Sequence, residues 1–276
     1  MRVGEPVFGS EYLFVKEIPG GDGRKTDVFL VSKDDNLYVM RCQKMYQRIA
    51  GKNCICTHQK YIQFLDLLKD DEKEFFVKPV ILDDQKLVFD YIEKRRNYIE
   101  ISVWPFLGSD LFELTRTASL NQNELRQYHI RLLQILMIMK KYDFVHRDFK
   151  IENIVGNKIP YAIDWEFSDF AGCSASGGTD IYNSPEAAKN ASYSHVDMDM
   201  WGFGTILFLT WSRSGMPEVS RGKFVEMIQN RRQSWKVFNF TEDQLEILRA
   251  IFTYAPERIT PEELARVPYF DCSKVV

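Results

Sequence analysis

The hydrophobic pattern is mostly strand-like up to about residue 103 and helical after it, and that change limits the fold more than any other feature. Before it, short apolar or alternating runs read as strands: Tyr12-Leu13-Phe14-Val15, Asp27-Val28-Phe29-Leu30-Val31 and Leu37-Tyr38-Val39-Met40. Turn compositions punctuate them, Pro19-Gly20-Gly21-Asp22-Gly23 and Lys33-Asp34-Asp35-Asn36. One amphipathic helix interrupts the strands, with Tyr61, Phe64, Leu65 and Leu68 on one face. The runs Leu87 to Ile92 and Tyr98 to Val103 flank a polar stretch and read as a hairpin, and Phe75 to Leu82 as an added strand or loop. After residue 103 the period is helical. Asn123 to Lys141 and Glu242 to Phe252 are amphipathic, Met198 to Trp211 is apolar enough to be buried, and Pro261 opens a short helix after Thr260. The pattern therefore predicts an α+β architecture: a small β-rich lobe with one main helix, then a larger helical lobe. At 276 residues, 45% of them hydrophobic, the chain has material for a sizeable core.

Composition excludes several function classes. A net charge of −3 gives no basic field to draw the chain to nucleic acid or to an anionic membrane. No apolar region follows Arg2, so no secretory signal is expected, and the apolar stretch Gly202 to Trp211 is too short to span a bilayer. Five cysteines, an odd number without framework spacing, point to a reducing, intracellular compartment. Cys54-Ile55-Cys56-Thr57-His58 lacks the second ligand pair of a metal site and reads as ordinary thiols.

The densest chemistry lies in Val145-His146-Arg147-Asp148-Phe149-Lys150-Ile151-Glu152-Asn153-Ile154. Asp148 is a carboxylate able to accept a hydroxyl proton. Lys150 is a cation able to offset phosphate charge, and Asn153 offers a neutral oxygen to a hard cation such as Mg²⁺. Asp164 follows in Tyr161-Ala162-Ile163-Asp164-Trp165-Glu166. Phosphoryl transfer asks little covalent chemistry of a protein beyond positioning and charge neutralisation, and these groups supply both.

These residues, in this order, resemble the eukaryotic-type protein kinase family. His146 to Asn153 matches the catalytic loop H-R-D-x-K-x-x-N, and Asp164 takes the place of the aspartate in D-F-G. Ser184-Pro185-Glu186 resembles the A-P-E end of the activation segment. Asp199-Met200-Trp201-Gly202-Phe203-Gly204 resembles the start of the central helix of the larger lobe, and Arg258 the arginine that pairs with the A-P-E glutamate, here Glu186. The resemblance implies ATP and Mg²⁺ as cofactors, Asp148 and Lys150 as catalytic residues, and Asn153 and Asp164 as metal ligands. It implies that Arg147 pairs with a phosphate or acid of the activation segment, where Ser168, Ser174, Ser176 and Thr179 lie. Lys150 and Thr179 follow the serine/threonine pattern, so the implied partners are protein substrates bearing Ser or Thr, met as a monomer or in transient complexes. Asp110 and Glu152 stand where family members that favour arginine upstream of the target place acids; solvated surface charge is the plainer reading of both. The tail from Glu246 to Phe270 loosely resembles the calmodulin-dependent and checkpoint branch, and Leu87 to Trp104 spindle-checkpoint kinases.

The first half departs from the family. Gly21 and Gly23 keep two glycines of the nucleotide loop and Val28 its valine, but Thr26 replaces the third glycine. Arg41 replaces the phosphate-pairing lysine, and a planar fork is no simple substitute for an ammonium. Val39 replaces a smaller residue facing adenine, and Lys25 is an alternative phosphate contact. The helix from Thr57 to Lys69 has no glutamate to pair with that strand; Gln59, then Asp66, come nearest. Asp164-Trp165-Glu166 stands for D-F-G, keeping the metal ligand and an aromatic able to pack beneath the helix. The hinge falls near Leu87 to Tyr91 or, preferably, near Val103-Trp104-Pro105-Phe106. The resemblance thus implies nucleotide contacts at Gly21, Gly23, Val28, Val39, Arg41, Val103, Trp104, Phe106 and Val155. It implies one kinase domain over residues 8–272, divided at about 104–107. Two readings stay open, an active kinase and a pseudokinase that binds nucleotide or scaffolds a partner.

Overall fold

The period-two segments of the first third become strands of one antiparallel sheet. A computed structural model describes residues 1–19, 26–44, 58–82, 98–172, 183–186, 196–230 and 238–271. The chain divides into two compact units, Met1–Thr57 with Val77–Leu107, and His58–Phe76 with Gly108–Val276.

The first unit is built on β1 (Leu13–Ile18), β2 (Thr26–Lys33), β3 (Asn36–Lys44), β4 (Val80–Ile81) and β5 (Tyr98–Pro105), in the order β1-β2-β3-β5-β4. Asp34 and Asp35, with φ of 48° and 61°, form the tight turn between β2 and β3. That is the positive-φ two-residue connection that matches strand twist. Directly opposed residues share a face, so the register sorts the side chains. Phe29, Met40 and Val103 form one row on the core face, joined by Val31, Cys42 and Ile101. Val28, Arg41 and Ser102 form a row on the opposite face, and Leu30, Val39 and Trp104 the next.

The chain's first residues cover the core face. A 3-10 turn at Val7–Gly9 inserts Val7, which is fully buried among these side chains together with Tyr12. Backbone bonds from Gly4 N–H to Phe14 O and from Phe14 N–H to Glu5 O, both 2.8 Å, hold this segment along β1. The expected hairpin from Leu87 falls largely on residues 83–97, outside the described residues. Its second strand extends to Pro105. Of the added segment Phe75 to Leu82, only Val80–Ile81 is strand, paired with β5.

In the second unit, α1 (Gln59–Leu67) and α2 (Asp70–Lys73) precede α3 (Leu111–Arg116), α4 (Gln122–Lys141), α5 (Val196–Ser212), α6 (Arg221–Gln229), α7 (Glu242–Ile251) and α8 (Pro261–Leu264). Their ends follow capping rules. Asn121 accepts the N–H groups of Asn123 and Glu124, while Glu124 reaches back to the Asn121 N–H. Thr241 with Gln244, and Thr260 with Glu263, repeat the device at α7 and α8. Helix α5 is buried nearly all round, as its apolar sequence requires. The helix α1 forms where its spacing predicts and belongs to the second compact unit, although strands of the first flank it in sequence. Among the described residues no helix is long and apolar enough to cross a membrane.

Candidate active site

The chemistry-bearing run forms a loop between β6 (Phe144–Val145) and β7 (Ile154–Val155). Its apolar members pin it down: Phe149, Ile151 and Ile154 are buried, so the polar residues between them have little freedom. Asp199, in the first turn of α5, receives the two N–H groups of His146 (2.7 Å) and Arg147 (2.9 Å). These bonds support the left-handed turn at Arg147, φ 68°. Burial pushes the Asp199 carboxyl up to about 7, against the pull of those two donors and of the Arg147 charge. His146 donates from Nε2 to Ile163 O (2.9 Å), so its Nδ1 is the acceptor for the Asp148 N–H (3.3 Å). Burial lowers its pKa, which keeps this ring neutral. On α5, one turn after Asp199, a Cβ on Gly202 would lie 2.1 Å from Phe149 O; only glycine lets the helix come this close to the loop.

Within this frame three predicted residues converge. Lys150 Nζ is 2.8 Å from Asp148 Oδ2. Asn153 Nδ2 donates to Asp148 O (2.9 Å) and Oδ2 (3.0 Å). Asp148 and Asn153 are both buried. Asp164 comes next to them through the backbone. β7 pairs with β8 (Tyr161–Ala162), and the Ile163 N–H donates to Asn153 O at 2.9 Å, one residue before Asp164. Asp164 adopts a left-handed conformation, φ 67° and ψ 54°, that leads into a 3-10 turn at Trp165–Phe167.

Trp165 is the middle of a buried column. Its indole stacks on Tyr61 of α1 at 4.3 Å and 11°, meets the His146 ring at 4.4 Å, and donates from Nε1 to Ala162 O (3.0 Å). His146 in turn rests on Asp199 through its N–H. The packing expected of an aromatic beneath the helix is therefore present. Phe64 stacks on Phe144 at 4.2 Å and 3°, extending the aromatic contact along α1. The expected pair of Arg258 and Glu186 also forms: Arg258 Nη2 lies 3.1 Å from Glu186 Oε2, and its other donors reach the carbonyls of Ile251, Asp197 and Thr253.

The sheet carries the expected nucleotide contacts unevenly. Val28, Val39, Arg41 and Trp104 share one face, and Trp104 Nε1 donates to Ser102 Oγ at 3.0 Å along it. Val103 does not join them: its side chain points into the opposite, core face, because neighbours on a strand alternate. Phe106 lies just past β5, exposed, with its N–H on Leu37 O. Val155 belongs to β7 in the second unit and bridges to Asp110. Asp110 caps α3, its Oδ1 accepting the Glu113 N–H at 2.7 Å. Gly21, Gly23, Lys25, Ser174, Ser176 and Thr179 lie outside the described residues, as do Cys54 and Cys56. Sequence reasoning picked out Asp199 as part of a motif but not as the clamp on two backbone donors. Tyr61 was visible only as one apolar position of a helix.

Residues 49–270 match the model of the protein kinase domain. This chain belongs to the protein kinase domain family. Among curated relatives of this kinase domain, serine/threonine-protein kinase 1 of Heliothis zea nuclear polyhedrosis virus is 26% identical over 184 residues, 57% of this chain and 62% of the relative. A probable serine/threonine-protein kinase of Dictyostelium discoideum is 26% identical over 220 residues, 75% of this chain and 39% of the relative. The kinase domain thus spans less than two thirds of the length of either. Among solved structures, the Cydia pomonella granulovirus kinase PK-1 superposes with a TM-score of 0.67 at 17% identity, covering 94% of this chain and 95% of the other. That likeness shows the bilobal α+β kinase fold.

Proposed function

We propose that residues 8–272 form one serine/threonine protein kinase domain that transfers the γ-phosphoryl group of ATP, with Mg²⁺, to hydroxyl groups of protein substrates. One observation carries the reading: an ammonium and an amide, Lys150 and Asn153, both lie within hydrogen-bond distance of the Asp148 carboxylate on a loop pinned by buried side chains. In the transfer, the substrate hydroxyl oxygen bonds to the γ-phosphorus, the bond to the bridging oxygen breaks, and ADP leaves with the electron pair. Asp148 orients the hydroxyl and takes its proton. Lys150 offsets charge on the phosphoryl group as it moves.

The donor set fits Mg²⁺. That ion binds through one or two carboxylates together with substrate phosphates rather than in a protein cage. Asn153 commits its Nδ2 to Asp148, which leaves Oδ1 as the acceptor, and Asp164 supplies a carboxylate nearby in the backbone. Bound there, the ion neutralises phosphate charge. Val28, Val39, Arg41 and Trp104 on the sheet face, with Gly21, Gly23, Phe106 and Val155, are the proposed nucleotide contacts; Val103 contributes backbone alone. Glu152, which is exposed, and Asp110, which caps α3, are the proposed acids for attracting arginine on a substrate.

A second reading, a nucleotide-binding or scaffolding pseudokinase, is favoured by Arg41 in place of lysine on a face that also carries Val39 and Trp104. Incubation with Mg-ATP and generic Ser/Thr substrates separates the two. Wild type is expected to exceed Asp148→Ala by at least about a hundredfold. Equal rates would sink the enzyme reading. A Mg-ATP thermal shift that persists in wild type and is lost in Asp164→Ala would then support the binding module.

A further inference from the structure

Gly108 is the first residue of the second unit after the sheet, and residues 108–110 lead from there into α3. The stretch is exposed or half-buried, so water could serve its backbone groups. Instead it is bonded to one turn, residues 156–160 between β7 and β8. Ser109 is held from both of its backbone groups: its N–H donates to Asn157 Oδ1 (3.1 Å), and its O accepts the Gly156 N–H (3.1 Å). The next residue, Asp110, bridges to Val155. The turn itself is anchored from α4, where the buried Tyr128 hydroxyl donates to Gly156 O. Burial raises the Tyr128 pKa to about 12, so this donor keeps its proton.

Asn157 does more than accept one bond. A Cβ on Gly108 would lie 2.5 Å from its Oδ1, 2.6 Å from its Cγ and 2.8 Å from its Nδ2. The amide therefore lies across the Gly108 Cα, and a φ of 107° there is one that residues with side chains rarely adopt. Asn157 is itself exposed, and an exposed amide can bond to water as well as to protein. The bond to Ser109 thus rescues no buried group. What it supplies is position, across 48 residues of sequence.

The position matters because of Val155. It is the proposed nucleotide contact of the second unit, and an aliphatic side chain suits a purine ring rather than a phosphate. We propose that Asn157 is a positioning residue for the nucleoside end of the bound nucleotide: by holding Ser109, it keeps residues 108–110 in register against Val155. This rests on the reading that the site takes nucleotide. Asn157 acts through Ser109 and Asp110 rather than through Asp148, Lys150 or Asn153, so it governs binding and leaves the transfer step alone.

The test compares Asn157→Ala and Asn157→Asp with wild type. Adenosine and Mg-ATP are the probes, titrated by NMR, and hydrogen exchange at the Ser109 amide is followed without nucleotide. Asn157→Ala is expected to quicken that exchange and to weaken adenosine and Mg-ATP by one common factor, roughly fivefold, the scale of a neutral hydrogen bond. Asn157→Asp keeps an acceptor oxygen at the same reach and is expected to stay close to wild type. In phosphoryl transfer, the KM for ATP rises by the same factor in Asn157→Ala while kcat and the KM for the protein substrate hold, the mark of lost ground-state binding. General damage to the fold would lower kcat as well. Wild-type exchange at Ser109 in Asn157→Ala overturns the proposal, and so does faster exchange with adenosine binding unaltered. A loss confined to Mg-ATP would put the effect at the phosphates and overturn it too. Equal losses in Asn157→Asp and Asn157→Ala would show that the acceptor is not what holds the stretch. A wild type that binds neither probe sinks the nucleotide reading and the proposal with it, whereas wild-type binding that Asn157→Ala leaves intact sinks the proposal alone.

Discussion

Asp199 and Gly202 sit one turn apart on α5, and between them they place the loop that carries Asp148. The carboxylate draws the loop in by two backbone bonds, and the missing Cβ lets it arrive. The contact at Gly202 is with a main-chain oxygen, which cannot swing aside as a side chain would. Gly202→Ala is therefore expected to lose about 2 kcal/mol of stability in urea denaturation, the usual scale of overpacking. The proposed phosphoryl transfer should fall as well, since Phe149 is flanked by Asp148 and Lys150. Unchanged stability would mean that the loop gives way freely. At this scale the sequence was a good guide to which side chains meet and a poor one to direction. Asp148, Lys150 and Asn153 meet as their spacing suggested. Val103 faces the core, because which side of a strand is buried depends on what packs there.

Among the elements, α4, α5 and the 3-10 turn at Pro268–Phe270 are joined by a buried polar chain through His129. Thr210 Oγ1 donates to Ile206 O, so His129 Nε2–H donates to Thr210 (2.9 Å). His129 Nδ1 then accepts the Tyr269 hydroxyl (2.8 Å), whose pKa burial raises to about 12, and Tyr269 accepts Trp211 Nε1 (3.2 Å). The chain is complete with a neutral ring. Burial lowers the His129 pKa from 6.5 to about 3. Above pH 6.5 both folded and unfolded states are neutral there. Below it the unfolded chain takes up a proton that the folded state refuses, so His129 costs stability as pH falls. Asp199, pushed up to about 7, acts in the opposite sense, losing stability as pH rises from the ordinary carboxylate range. A comparison removes that background. Between pH 6.5 and 5, wild type is expected to lose about 2 kcal/mol more than His129→Phe. Parallel urea titrations at the two pH values measure it, and equal losses would show the ring to be protonated in place. Helix spacing exposed the apolar stripe of α4, but His129 carries no sign in sequence of the partners it meets.

Across the whole molecule, each unit has a core of its own, and the first unit completes its core with residues from its very start. Val7 is fully buried against the sheet although only a short turn positions it. Val7→Ala is expected to cost about 2 kcal/mol, the value of a buried aliphatic side chain with the cavity it leaves. Hydrogen exchange should quicken in β2, β3 and β5, the strands that line this core. Unaltered exchange there would show that the segment only rests on the surface. The second unit takes in α1 and α2, drawn from between strands of the first. Two units interleaved in sequence are thus each closed by a segment that local pattern assigns elsewhere or does not assign at all.

The sequence by itself determined the local pattern: mostly strands before residue 103 and mostly helices after it, the helix start after Thr260, and the ordered run from His146 through Asp164 to Arg258. These are local properties, since propensity, capping and motif spacing act over a few residues. Only the tertiary structure decided that α1 stacks Tyr61 on Trp165, that Asn157 meets Ser109, that Val103 turns inward, and that Val7 seals the sheet. Each depends on residues far apart in the chain meeting in three dimensions, and burial, which sets both packing energy and ionisation, exists only once they have met.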